Sequence, residues 1–182
     1  MKTAILFILL LSNCFCFGLE FEDDVIYQIF PISFRDSDGD GRGDINGIAE
    51  SIPYFESLGV TAVWLNPVFE SHFYHGYQYS NFDAIDSDLG TEEDFWNLID
   101  AFHENSIEIY IDLVIYGIFE DNEYFEDAYG NPDSDYDDWF LFTNLNNTEF
   151  LGYNNVGYDG YSGNFVHFNL NNEDLYEFLI ET

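Results

Sequence analysis

Basic residues are almost absent from this chain. Its 182 residues include 3 Lys+Arg against 36 Asp+Glu, a formal net charge of −33. Such a surface repels phosphate throughout, which argues against nucleic acid and against anionic membranes as partners. It suits neutral substrates, cations, or a calcium-rich, saline or acidic medium. Cysteine is scarce, and both cysteines, Cys14 and Cys16, lie near the N-terminus. Without that stretch the chain has no disulfide, no zinc-thiolate site and no cysteine nucleophile. Long apolar runs are also lacking: Ala4 to Leu11 is too short to span a bilayer, and no later apolar segment is long enough to do so. Aromatics, by contrast, make up 20% and hydrophobic residues 47% of the chain. That excludes a disordered acidic tail and fits a single domain with a real core.

Residues 1–18 read as an export signal, with Met1-Lys2 as the positive start, the apolar run behind it and small residues offering cleavage after Cys16 or Gly18. The expected location is therefore secreted or lumenal. A lipid anchor on Cys14 is the alternative, disfavoured by Asn13 before it. Asn146-Asn147-Thr148 is a glycosylation sequon in a eukaryotic host.

Strand and helix patterns then alternate. Val25 to Phe30 is a short apolar run closed by Pro31. A glycine-rich polar loop runs from Asp36 to Asp44, and Ile45, Ile48, Ile52 and Phe55 recur at helical spacing, with Pro53 as a kink or helix start and Gly59 as the stop. Val60 to Phe69 is nearly continuous in apolar residues, the texture of a strand buried on both faces. A long loop, Glu70 to Gly90, follows. Thr91 with Asp94 forms a capping-box pattern ahead of the stripe Phe95, Leu98, Ile99 and Phe102, and Ile107 to Ile115 is a third strand. This order predicts a parallel α/β sheet with right-handed crossovers. From Ile118 to Asn169 periodicity fades, which predicts an irregular insertion rather than another strand-helix unit. Asn172 caps a last helix with Leu175, Phe178 and Leu179 on one face.

The strongest site signal is Asp36-Ser-Asp38-Gly-Asp40-Gly-Arg42-Gly-Asp44. Carboxylates at alternate positions with glycines between them let several hard oxygens converge, as calcium or magnesium requires. Acids packed so closely repel one another without a cation, which favours an ion over a solvated turn. An EF-hand register places Gly47 where a bidentate acid is needed, so that rival fails. His75 and Tyr77 are candidates for a sugar site, with an ordinary packed loop as the competing reading. His72 and His103 read as surface or helix-end residues, Trp64 and Trp96 as core, and Trp139 as an anchor of the insertion. Glu120, Asp121, Glu123, Glu126 and Asp127 read as a solvated acidic face.

Together these blocks resemble the N-terminal part of the α-amylase family of glycoside hydrolases, which are TIM barrels. The resemblance rests on VIYQIFPISFRDSDGDGRGDINGI (Val25 to Ile48), LGVTAVWLNPVFES, HGYQYSNFDAIDSDLGTEEDF (His75 to Phe95), AFHENSIEIYIDLVIYG (Ala101 to Gly117) and NEYFEDAYGNPDSDYDDWF (Asn122 to Phe140). It implies a partial (β/α)8 barrel, its first three βα units, plus an irregular inserted B-domain region. In these terms residues 19–117 are barrel, 118–170 insertion and 171–182 the helix before a fourth strand. The resemblance also implies an ion held by Asp36, Asp38, Asp40, Asp44 and the Arg42 carbonyl, and an α-glucan or oligosaccharide at Tyr77, Gln78 and His75.

Several departures stand out. The family's third strand ends Asp-x-x-x-Asn-His; here Asp112 stands, but Tyr116 and Gly117 replace the asparagine and the sugar-binding histidine. Gln78 replaces an aspartate in the family's Gly-Tyr-Asp pattern, and His167 another aspartate nearer the end. The family's nucleophile, acid/base and stabilising aspartate sit on later strands, and none maps onto this chain, so no catalytic residue is expected here. Three strands of an eight-stranded barrel leave open edges and a bare inner face, so the rest of the barrel or a partner chain is expected to complete the fold. Three functions follow: an α-amylase-family hydrolase seen through its N-terminal part and inactive alone, a non-catalytic carbohydrate-binding or accessory relative, and a calcium-binding extracellular module.

The charge itself makes a prediction. Crowded carboxylates raise one another's pKa more in the folded than in the unfolded chain, so the native state holds more protons in that window. Metal-free stability should then fall as pH rises from about 4.5 to about 7.5, with salt offsetting the loss. Thermal melts in chelator at two salt levels test this; a flat or rising, salt-insensitive profile contradicts it.

Overall fold

A computed structural model describes residues 24–157 and 160–181. The export signal and both cysteines lie outside the described residues. Three short strands form a parallel sheet: β1 (Ile26–Ile29), β2 (Ala62–Leu65) and β5 (Glu108–Ile111), in the order β1-β2-β5. Gln28, Trp64 and Tyr110 share one row, and Ile29, Leu65 and Ile111 the next. The crossovers are helical, as the sequence predicts. The first holds α1 (Ile45–Ala49) and α2 (Ile52–Leu58), two helices with Pro53 starting the second; the other holds α3 (Glu92–Glu104). Gly59 closes α2 in the left-handed conformation, and Thr91 and Asp94 complete the capping box of α3.

Burial decides which way the sheet faces. Ile29, Val63 and Leu65 pack with Ile45, Ile48, Phe55, Leu98 and Phe102 into a helix-covered core. The opposite face carries Ile26, Gln28, Trp64 and Tyr110, and Trp64 there is 43% exposed. The apolar run of the second strand is therefore buried against helices on one face only, and Trp64 is not a core residue. Nor is Trp96, which lies exposed on α3 with its indole N–H donating to Glu92.

The connection after β2 is more ordered than a loop. β3 (Phe69–Ser71) and β4 (Tyr79–Ile85) form an antiparallel pair with register shifts at Glu70. The stretch after residue 117 is not another strand-helix unit, as expected, but it holds an antiparallel sheet. β6 (Gly117–Phe119), β7 (Gly152–Val156) and β8 (Ser162–His167) run in the order β6-β8-β7, with α4 (Glu123–Ala128) between the first two. A second core of Tyr79, Phe82, Phe119, Phe125, Trp139, Phe140, Phe165 and Phe168 lies here, with Trp139 anchoring it as expected. α5 (Glu173–Glu181) packs Leu175 into this core, and Asn172 accepts from the Leu175 amide at its start. Among the described residues no helix is long and apolar enough to cross a membrane.

Candidate functional site at the strand ends

Parallel strands deliver their following residues to one place. Asn66 follows β2 and Asp112 follows β5, and both meet the Tyr77 hydroxyl brought in by the segment between β3 and β4. Tyr77 donates to Asp112 Oδ2 at 2.6 Å, and Asn66 Nδ2 donates to the phenol oxygen at 3.0 Å. Gln28 of β1 donates to Asn66 Oδ1 at 3.1 Å, so all three strand ends are joined. The hydrogen bond to Asp112, with burial and the carboxylate charge adding, pushes the Tyr77 phenol up to about 12. His75 sits beside it: its Nδ1 accepts from the Tyr77 amide at 3.1 Å, and burial holds its pKa below the ordinary imidazole value.

Gln78 is buried and faces the second sheet. Its Nε2 donates to the Tyr153 hydroxyl at 2.9 Å, and its Oε1 accepts from Asn155. Tyr153 in turn shares a hydrogen bond with Tyr116. The expected sugar residues Tyr77, Gln78 and His75 thus lie together with Asp112. Asn66 and Gln28 were not anticipated, although a polar residue closing an apolar strand, as Asn66 does, is a recognisable signal.

The acidic loop divides. Asp36, Asp38 and Asp40 each offer a carboxylate oxygen within 4.8 Å of the others. Gly39 and Gly41, at φ +86° and +97°, curl the backbone so that their amides donate to Asp36 at 2.6 and 2.8 Å. These two bonds hold the Asp36 carboxyl below the usual range. Asp44 is not in the convergent set; it caps α1 through the Gly47 amide and accepts from Ser37 N and Oγ. Burial opposes its ionisation, yet these bonds keep its pKa low. The Arg42 guanidinium pairs with Asp88. The donor set is hard and all-oxygen, so the residues present fit calcium or magnesium.

The charges titrate in two senses. Asp36, Asp44 and Asp94 have lowered pKa values, so each stabilises above its unfolded pKa and loses that contribution as pH falls. Asp86 is raised, first by burial, and its contribution is lost as pH rises through its folded pKa. Asp86 alone among these four shifts in the direction expected from composition, and burial rather than like-charge repulsion is its first cause.

Two further expectations need correction. His72 is not a plain surface residue: its Nε2 lies 2.6 Å from Asp121 Oδ2, and its ring stacks on Tyr161 at 3.8 Å. The acidic group after Phe119 is not all solvated face. Glu120 accepts from Asn164 N and Nδ2, Asp121 binds His72, and Asp127 accepts from Ser134. Side chains that far apart in sequence give no local signal of meeting.

A parallel βαβαβ unit is consistent with part of a (β/α)8 barrel, and the polar cluster lies at the C-terminal ends of its strands. The family model described as "Alpha amylase, catalytic domain" matches residues 28–178. The chain belongs to the α-amylase family of glycoside hydrolases. It is 38% identical over 123 residues to Alpha-amylase 3 of Dictyoglomus thermophilum, covering 68% of this chain and 25% of that protein. It is 41% identical over 122 residues to Maltase A2 of Drosophila melanogaster, covering 66% and 21% respectively. Among solved structures, the α-amylase from H. orenii superposes with a TM-score of 0.71 at 33% identity, over 86% of this chain and 36% of that one. The chain thus spans about a quarter of the length of curated relatives such as Alpha-amylase 3.

A double-mutant cycle on Tyr77→Phe and Asp112→Asn should give a coupling of about 1–2 kcal/mol in urea denaturation. Additive effects would show that the contact does not link the strand ends.

Proposed function

We propose that this chain is part of a secreted protein of α-glucan metabolism whose strand ends bind neutral α-linked glucose oligomers. We further propose that the 182-residue polypeptide does not cleave them. The observation that carries this reading is the Gln28–Asn66–Tyr77–Asp112 network at the ends of three parallel strands, where barrels of this type place their sites. The relatives it resembles are named as amylases and a maltase, which points to the same substrate class. Glycoside hydrolysis needs two carboxyl groups facing each other across the bond. Among the described residues this network contains one, Asp112, already engaged by Tyr77. A non-catalytic binding relative is the second reading, favoured by Tyr116 and Gly117 in place of the asparagine and histidine.

The bare sheet face with Ile26 and Trp64 is, in this proposal, covered by further barrel strands or by a partner chain. Residues 1–18 act as the export signal. The expected outcome is measurable binding of maltoheptaose by calorimetry and no release of reducing sugar from starch above a blank. Turnover that persists after host amylases are removed would sink the inactive assignment, and absence of binding would sink the site.

We also propose calcium, or magnesium in its place, at Asp36, Asp38 and Asp40 with the Arg42 carbonyl, while Asp44 supports the loop through Ser37 and the cap of α1 rather than as a ligand. The ion would neutralise the converging carboxylates and fix the loop between β1 and α1. At 100 times Kd it should add about 2.7 kcal/mol of stability by mass action. Calorimetric titration should show one site, lost in Asp36→Ala/Asp40→Ala; equal binding by that variant places the ion elsewhere.

A further inference from the structure

Tyr116, Gly117 and Tyr153 pack around Phe165, and Gln78 is joined to Tyr153 by a hydrogen bond. Phe165 lies on the central strand of the second sheet and is fully buried. Gly117 opens β6, opposite His167. A Cβ at this position would meet Val166 O at 2.3 Å and the Phe165 ring at 2.6 Å. A histidine therefore cannot stand at position 117 while β8 passes this close. Gly152, at the start of β7, is equally constrained: a Cβ there would lie 2.3 Å from Phe165 O. With both flanking side chains removed, the Phe165 ring is covered instead by Tyr116 and Tyr153. Their ring centroids lie 5.1 and 5.5 Å from its own.

The covering rings are themselves presented outward. Tyr116 is 46% and Tyr153 38% exposed. Their hydroxyls lie 3.2 Å apart, and Tyr153 accepts from Gln78. Burial, with the Tyr153 hydrogen bond adding, pushes the Tyr116 phenol up to about 12, so it stays neutral at any physiological pH. Gln78 neighbours Tyr77, and Tyr116 lies one short segment beyond Asp112, which places the pair beside the strand-end network. Two half-exposed rings, held against Phe165 and joined through their hydroxyls, offer aromatic surface to the C–H surface of a pyranose. The net charge of −33 disfavours phosphorylated, sulfated or uronic sugars at the same place.

We propose that Tyr116 and Tyr153 form an aromatic platform that stacks the sugar rings of a neutral α-glucan, assembled by the joint replacements at Gln78, Tyr116 and Gly117. The inference rests on the α-glucan reading above and adds the residues that make the contact.

The test is calorimetric binding of maltoheptaose to the full chain and to Tyr116→Leu and Tyr153→Leu, which keep apolar cover over Phe165 but lose the ring. Each should weaken binding about fivefold or more, and Tyr116→Phe and Tyr153→Phe should stay within about twofold of the wild type. Thermal melts confirm that each variant is folded, and the tyrosine NMR shifts carry the test if a Leu variant is not. Aromatic NMR shifts of Tyr116 and Tyr153 should also move on addition of maltoheptaose to the unaltered chain. Leu variants that bind like the wild type, or tyrosine shifts that stay fixed while sugar binds, overturn the platform and leave the α-glucan reading standing. No binding by the unaltered chain overturns that reading first, and the platform with it.

Discussion

The register of three parallel strands controls where everything else falls. With Gln28, Trp64 and Tyr110 in one row, Asn66 and Asp112 emerge side by side, close enough to share one tyrosine hydroxyl. The helices lock that register. Val63 and Leu65 must face α1, α2 and α3, and a slip of one residue would turn them outward and drive Trp64 into the helix core. Packing of aliphatic side chains on one face of the sheet thereby fixes a polar network at its end.

A second constraint acts in the antiparallel sheet. Gly117 and Gly152 let strands approach Phe165 more closely than any side chain permits, and the aromatic residues that fill the surrounding space make up the second core. The scarcity of basic residues bears on both parts. Arg35 pairs with Glu50 and Arg42 with Asp88, so elsewhere carboxylates depend on backbone amides, hydroxyls, amide side chains and His72. This is why several aspartates have lowered pKa values in a chain whose overall charge pushes the other way.

Where a local rule governs, sequence reading and structure agree. The caps at Thr91 and Asn172, the stop at Gly59, the βαβαβ order and the convergence of Asp36, Asp38 and Asp40 all follow from short-range patterns. The β3–β4 pair was hidden because β3 has three residues and slips register within them. The sheet after residue 117 was hidden because glycine, poor in strands by propensity, occurs in all three of its strands. Trp64 misleads because a continuous apolar run cannot say which face is covered. Gln78 with Tyr153, and His72 with Asp121, lie 75 and 49 residues apart, and only tertiary structure joins them.

The central claim is that the ends of β1, β2 and β5 recognise α-glucan without cutting it. A crystal structure of the chain grown with maltoheptaose tests it most directly. The account predicts an intact oligosaccharide at these strand ends, with a ring beside Tyr77 and others over Tyr116 and Tyr153. Shortened sugar in that position, or full-length sugar bound only elsewhere on the molecule, would contradict it.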